Sequence, residues 1–216
     1  MTVNFSKLNT IKKNLNDINN VAKLLVVSKN QSREDILELL ENNNFVFGEN
    51  RVQEASKKFD SNLRIKYTNL KLHLIGPLQS NKVKLALKTF DVIQTLDRKK
   101  IIDDIATEMK KLDNIRTKSF YIQVNIGEEK QKSGVEFKDL EPLYVYAKSQ
   151  NLIIDGLMCI PPFEGNPSFF FKKLKTLRDN INIDLKLSMG MSSDYLQALQ
   201  NGSNLIRVGS KIFQWK

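Results

Sequence analysis

The 216-residue chain is poor in the residues that most often mark a site, with one cysteine, one histidine and one tryptophan. The lone cysteine, Cys159, cannot close an internal disulfide and has no partners at zinc spacing, so a cystine framework and a zinc knot are excluded and no metal site is expected. Within "GLMCI" it reads as a small buried hydrophobe, suited to a reducing cytosol. Long apolar runs are missing as well. None approaches the roughly 20 residues of a membrane-spanning helix, and the start "MTVNFSKLNT" lacks a signal-peptide core. A cytosolic protein with no membrane partner is expected. Arginine is scarce too, seven of 34 basic residues, although the net charge is +10. A basic surface raises nucleic acid as a partner, but these lysines are scattered and no basic run carries interleaved aromatics. Lys, Asn and Ile are all abundant, and a compositional drift explains the charge without a nucleic-acid role.

What is present is a regular alternation. Eight short apolar runs read as strands: 24–28, 45–47, 72–75, 92–96, 120–126, 153–160, 185–189 and 205–208. Between them, Val83, Ala86, Leu87 and Phe90, then Ile102, Ile105, Ala106 and Met109, then Leu140, Leu143, Tyr144 and Ala147 repeat at helical spacing. Ser32 with Asp35 has the form of a capping box, and Asn201-Gly202 reads as a helix stop. With a leading helix over 5–19, the pattern predicts an α/β fold, a (β/α)8 barrel formed by one domain over 1–216. An open doubly wound sheet is the competing architecture.

Five of the nine glycines are expected directly after strands: Gly48, Gly76, Gly127, Gly190 and Gly209. Lys29, behind the apolar "LLVV", belongs to the same set of positions. In a barrel the carboxyl ends of the strands form the active face. An amine partly desolvated there is a good nucleophile toward a carbonyl, which admits a Schiff base with a substrate, as in an aldolase, or with pyridoxal phosphate. The second choice needs a phosphate cradle and a partner for the pyridine nitrogen. "LSMGMSSD" ends the seventh candidate strand and opens a helix at Ser192 and Ser193, and "LIRVGSKIF" ends the eighth with Gly209 and Ser210. Loops after strands seven and eight are the usual phosphate site of a barrel. Arg207 shares a strand face with Leu205, and an inward arginine would be costly unless a ligand or carboxylate met it; an outward one would pair with a helix acid.

Seven segments, "VVSKNQ", "FGENRVQE", "HLIGPLQSNK", "QVNIGEEKQKSGV", "GLMCIPP", "LSMGMSSD" and "IRVGSKIF", occur in register along nearly the whole chain. Together they resemble the pyridoxal phosphate homeostasis protein family, a barrel similar to the N-terminal domain of alanine racemase. The resemblance implies pyridoxal 5'-phosphate as cofactor, held as a Schiff base on Lys29, with Arg207 facing the pyridine nitrogen and Ser192, Gly209 and Ser210 on the phosphate. Asn50 and His73 fall on family motif positions near the cofactor; an inert, hydrogen-bonded strand histidine is the other reading of His73. The expected role is to carry or buffer the cofactor in vitamin B6 and amino-acid homeostasis, as a monomer, with cofactor-requiring apoenzymes as partners and no efficient catalysis. An amino-acid racemase is the alternative. The chain departs from the family in reading Leu72-His73-Leu74, without the usual aromatic before the histidine, and in lacking Thr-Lys-Pro after Lys29.

Overall fold

A computed structural model describes residues 2–129 and 131–214. Eight parallel strands close into a barrel in sequence order: β2 (Lys23–Val27), β3 (Val46–Glu49), β4 (Lys71–Leu74), β5 (Val92–Leu96), β6 (Ser119–Val124), β7 (Ile154–Cys159), β8 (Lys186–Ser188) and β9 (Leu205–Val208). The expected (β/α)8 barrel is therefore the observed one, and the open sheet is not. Closure is made by β9 pairing with β2, which sets Leu25 beside Arg207 and Val26 beside Val208. A two-residue antiparallel ribbon, β1 (Thr2–Val3) with β10 (Phe213–Gln214), joins the two ends of the described chain. No sequence signal pointed to it, because two residues carry no periodicity.

The helices are α1 (Phe5–Ile18), α2 (Arg33–Glu41), α3 (Val52–Lys58), α4 (Ser61–Lys66), α5 (Val83–Thr89), α6 (Lys99–Lys111), α7 (Phe137–Ser149), α8 (Pro167–Ile181) and α9 (Tyr195–Gln200). The leading α1 is capped by Asn4, whose side chain accepts the Lys7 amide, and buries Leu8, Ile11 and Leu15 on one face. Ser32 and Asp35 form the expected capping box on α2. The Asn201-Gly202 stop terminates α9, with Gly202 at φ +85°.

Alternation along the strands divides the buried residues into two sets. Val26, Phe47, Leu72, Leu74, Ile93, Phe120, Ile122, Leu157, Leu187, Ile206 and Val208 belong to one continuous apolar cluster with helical residues such as Ile36, Leu87, Ile105 and Leu174. This outer layer between strands and helices is the core. The intervening strand positions point into the barrel, and they are unusually polar: His73, Gln94, Gln123, Ser188 and Arg207 are all buried, beside Leu25, Tyr121, Met158 and Leu205. Gly48 is not the strand-end glycine that was expected. It lies within β3, paired with Val27 and His73, where its missing side chain leaves room for Leu25 and Ile75 inside the barrel.

Gly156, at an inward position of β7, leaves no room for a side chain. A Cβ there would lie within van der Waals distance of the Lys186 carbonyl, which is backbone and cannot swing away, and of the Tyr121 ring. Gly156→Ala is expected to destabilise the fold by about 1–3 kcal/mol through overpacking, read as a lower urea midpoint at unchanged slope. An unchanged midpoint would show that β7 and β8 can move apart freely.

Candidate functional site

The carboxyl ends of the strands surround a cavity of about 560 Å³ lined by Lys29, Asn50, Ser192, Arg207, Gly209 and Ser210 among others. Six of the seven residues expected at the site thus meet in one place. Its volume falls in the range of about 300–1,000 Å³ usual for small-molecule sites. Val27, Ile75, Ile160 and Phe213 supply an apolar wall. Closure of β9 on β2 brings the two ends of the chain together here, because Arg207 and Leu25 are register partners and Lys29 follows β2 by two residues. Of the five glycines thought to mark the face, only Gly209 lines the cavity. A side chain there would press within 2.9 Å of the Val27 carbonyl, so glycine lets the end of β9 approach the end of β2.

Lys29 sits on a tight turn. The Gln31 amide donates to the Ser28 carbonyl at 3.1 Å, and Asn30 takes φ +60°, a conformation asparagine tolerates at the third residue of such turns. The partial desolvation expected for Lys29 is not found. It is an exposed residue, because the turn lifts it beyond the strand to the lip of the cavity, where no neighbouring strand covers it.

Arg207 is inward-facing and 3% exposed. One terminal nitrogen donates to Ser188 Oγ at 2.9 Å and the other to the Cys159 carbonyl at 2.8 Å. Among the described residues no carboxylate forms an ion pair with it, so the outward reading with a helix acid is overturned. Burial lowers its pKa, against weaker support from Cys159 and Asp194. The same burial pushes the Cys159 thiol up to about 12, in keeping with an inert hydrophobe.

Ser192 and Ser193 do not open a helix. Asp194 Oδ1 accepts the Met191 amide at 2.6 Å, closing a turn over 191–194, and α9 begins only at Tyr195. Gly190, at φ +94°, turns the chain out of β8. The consequence is a row of available donors. Among the described residues, the amides of Ser192, Ser193, Gly209 and Ser210 donate to no protein acceptor. Facing amides of this kind make an anion-binding concavity, and the hydroxyls of Ser192 and Ser210 add to it.

His73 does not line the cavity. It joins the site at one remove, through residues that sequence reading overlooked. Gln94 Nε2 donates to His73 Nδ1 at 2.8 Å, Ser188 Oγ donates to Gln94 Oε1 at 2.6 Å, and Arg207 donates to Ser188 Oγ. Each donor in this chain meets an acceptor only if His73 carries its proton on Nε2. Burial drops the His73 pKa to about 4, with Asp91 opposing and Lys71 assisting. Gln94 could have been found as the single polar residue at inward parity in "VIQTL"; Ser188, in the three-residue "KLS" with Lys186 at the same parity, carries no such signal.

Chemically, the cavity offers a primary amine for a carbonyl, a fixed cationic donor for an acceptor atom, and free amides for a phosphate. Among the described residues no group of three or more His, Cys, Asp or Glu could hold a metal, and no helix is long and apolar enough to cross a membrane.

No family model matches the chain. Curated relatives do. The pyridoxal phosphate homeostasis protein of Aquifex aeolicus is 39% identical over 203 residues, spanning 90% of this chain and 87% of its own length. That of Haemophilus influenzae is 37% identical over 218 residues, spanning 96% and 90%. The chain belongs to the pyridoxal phosphate homeostasis protein family. Among solved structures, PipY of Synechococcus elongatus without PLP superposes with a TM-score of 0.83 at 29% identity, covering 97% of this chain and 99% of its own. Its PLP-bound form gives 0.82 at 28% identity, with the same coverage. Alanine racemase of Corynebacterium glutamicum matches at a TM-score of 0.69 and 13% identity, over 100% of this chain and 62% of its own, a likeness of fold alone.

Because His73 is the only histidine, its titration can be followed without assignment. A neutral buried imidazole that gains a proton only below its ordinary range binds fewer protons folded than unfolded, so it withdraws stability as pH falls from about 6.5 to about 4. Imidazole proton resonances of the folded protein should titrate with a midpoint near 4. A midpoint near 6.5 would mean that the Gln94 contact and the burial of the ring are wrong.

Proposed function

We propose that this protein binds pyridoxal 5'-phosphate in the cavity, linked covalently to Lys29, and that it buffers the cofactor or delivers it to apoenzymes without efficient catalysis of its own. In this reading it works as a monomeric, single-domain cytosolic barrel in vitamin B6 and amino-acid homeostasis. The observation that carries it is the division of the site: one amine at the lip, one buried arginine without an ion-paired carboxylate, and a row of amides at the carboxyl ends of β8 and β9 that are unpaired among the described residues. That donor set fits the cofactor group by group. The names of the curated relatives and the PLP-bound PipY structure agree with it.

When bound, the cofactor supplies an aldehyde and an electron-withdrawing ring. Lys29 Nζ supplies the nucleophile for the aldehyde carbon. Ser192, Gly209 and Ser210 would hold the phosphate by charge-assisted hydrogen bonds, and Asn50 and the apolar wall are the groups left to receive the ring. His73 serves the site through Gln94 and Ser188, holding the arginine in place. Arg207 can only donate, so the ring nitrogen it meets is an acceptor and stays unprotonated, which weakens the ring as an electron sink. The same feature disfavours a racemase. Proton transfer on two faces also needs a second acid or base opposite Lys29, and none of the five tyrosines lines the cavity. Tyr121 lies within β6 with its pKa raised by burial, and Tyr195 is engaged by Asn14.

Lys29→Ala should abolish the visible absorbance of the purified protein and its loss on borohydride treatment, while the fold persists. Reduction that places the cofactor chiefly on another of the 27 lysines would contradict the assignment. Hydrogen bonds to a charged phosphate are each worth roughly 1.5–3 kcal/mol. Ser192→Ala or Ser210→Ala should therefore weaken pyridoxal phosphate about tenfold or more, with little effect on unphosphorylated pyridoxal. Equal losses for both ligands in a titration would remove the phosphate from this end of the barrel.

A further inference from the structure

The turn that carries Lys29 is held from outside the cavity by α3. Lys58 Nζ donates to the Ser28 carbonyl at 2.8 Å, and Glu54 Oε1 accepts the Asn30 amide at 2.9 Å. Both backbone groups flanking Lys29 are thus fixed by side chains one helical turn apart on the same face of α3. Lys58 also pairs with Glu54 and with Glu49, at 2.8 Å each, and Glu49 accepts Ser28 Oγ at 2.7 Å.

This cluster is expensive to keep. The Glu49 side chain is fully buried, its second oxygen, Oε2, has no hydrogen-bond partner, and burial raises its pKa against the help of Lys58. Lys58 is only 12% exposed. Docking of α3 on the barrel does not require these charges, since Val52 and Ala55 already bury its apolar face. All three ionised groups instead converge on Ser28 and Asn30, and an unpartnered buried carboxylate oxygen calls for an explanation beyond packing.

We propose that Glu54 and Lys58, backed by Glu49, are positioning residues that fix the Lys29 turn for covalent capture of the cofactor aldehyde, a task separate from phosphate binding. The step they serve joins Lys29 Nζ to the aldehyde carbon with loss of one water. By holding the Ser28 carbonyl and the Asn30 amide, they keep Asn30 in its left-handed conformation and direct the lysine stem from an otherwise exposed turn toward the cavity. Without them the turn samples other conformations and the amine spends less time near the aldehyde, while the amides after β8 and β9 bind phosphate as before.

The inference rests on Lys29 being the linking residue, and the test separates the two. Dissociation constants are measured for pyridoxal 5'-phosphate and for pyridoxine 5'-phosphate, which has an alcohol in place of the aldehyde and cannot link. Their ratio in the unaltered protein measures covalent capture. Glu54→Ala and Lys58→Met should shrink that ratio about tenfold or more, with pyridoxine phosphate affinity within about twofold of its starting value. Glu54→Gln, which still accepts the Asn30 amide, should restore most of the ratio. Should Lys58→Met fail to fold, Glu54→Ala decides alone, because Glu54 is partly exposed. Equal weakening of both ligands, or an unchanged ratio, overturns the positioning role. Lys29→Ala supplies the reference: its capture advantage should vanish, and an advantage persisting there overturns the reading of Lys29 itself.

Discussion

Arg207 places a permanent positive charge inside an eight-stranded barrel, and withdrawing such an ion from water costs on the order of several kcal/mol. The direct hydrogen bonds of Arg207 offset part of this with neutral oxygens, the Ser188 hydroxyl and the Cys159 carbonyl, and Asp194 adds weaker support without touching it. The rest of the interior follows from that constraint. Ser188 can accept from arginine only while its proton goes elsewhere, and it goes to Gln94; Gln94 must then spend its amide on His73, which has to remain neutral to receive it. Four inward positions on four strands are thereby committed to one another, and the core of the fold lies instead in the apolar layer outside the strands.

A guanidinium hydrogen-bonded only to neutral groups, with no ion-paired carboxylate among the described residues, leaves positive charge at the floor of the cavity. The second charged group lining it, Lys29, stands at the lip, two residues past the strand that β9 pairs with to close the barrel. Closure thus joins the first and last strands of the barrel into one cationic site, with the free amides of Ser192, Ser193, Gly209 and Ser210 at its edge. The cluster of Glu49, Glu54 and Lys58 lies behind the lysine turn, so the supports of the two cations are independent of each other. Arg207 is held by side chains of the barrel interior, and the backbone flanking Lys29 by α3 with Glu49 of β3 behind it.

The sequence disclosed the barrel readily, because its strands are apolar on the outer face and its helices repeat at 3.6 residues. The parity of Leu205 and Arg207 correctly raised an inward arginine, but parity alone could not choose between inside and outside. The helix start at Ser192 was misread since Ser-Ser before an apolar run imitates an N-cap; Asp194 closes a turn there first. Desolvation of Lys29 was misjudged because the Ser28–Gln31 turn, invisible as periodicity, carries it off the strand. Glu54 and Lys58 have the spacing of an ordinary surface ion pair, and only the fold reveals that they reach the backbone on either side of the lysine. Gln94 was within reach of sequence reasoning, as the one polar residue on its face of an apolar strand, whereas Ser188 lies in a strand too short and too polar to show a parity.

In the proposed function Arg207 meets the ring nitrogen of the cofactor as a donor and keeps it unprotonated. The most direct measurement is the ¹⁵N chemical shift of pyridoxal 5'-phosphate labelled at the ring nitrogen and bound to the protein near neutral pH. The account predicts the shift of an unprotonated, hydrogen-bonded pyridine, moving toward the protonated value when Arg207 is replaced by glutamate. A protonated pyridinium shift with Arg207 in place would contradict it.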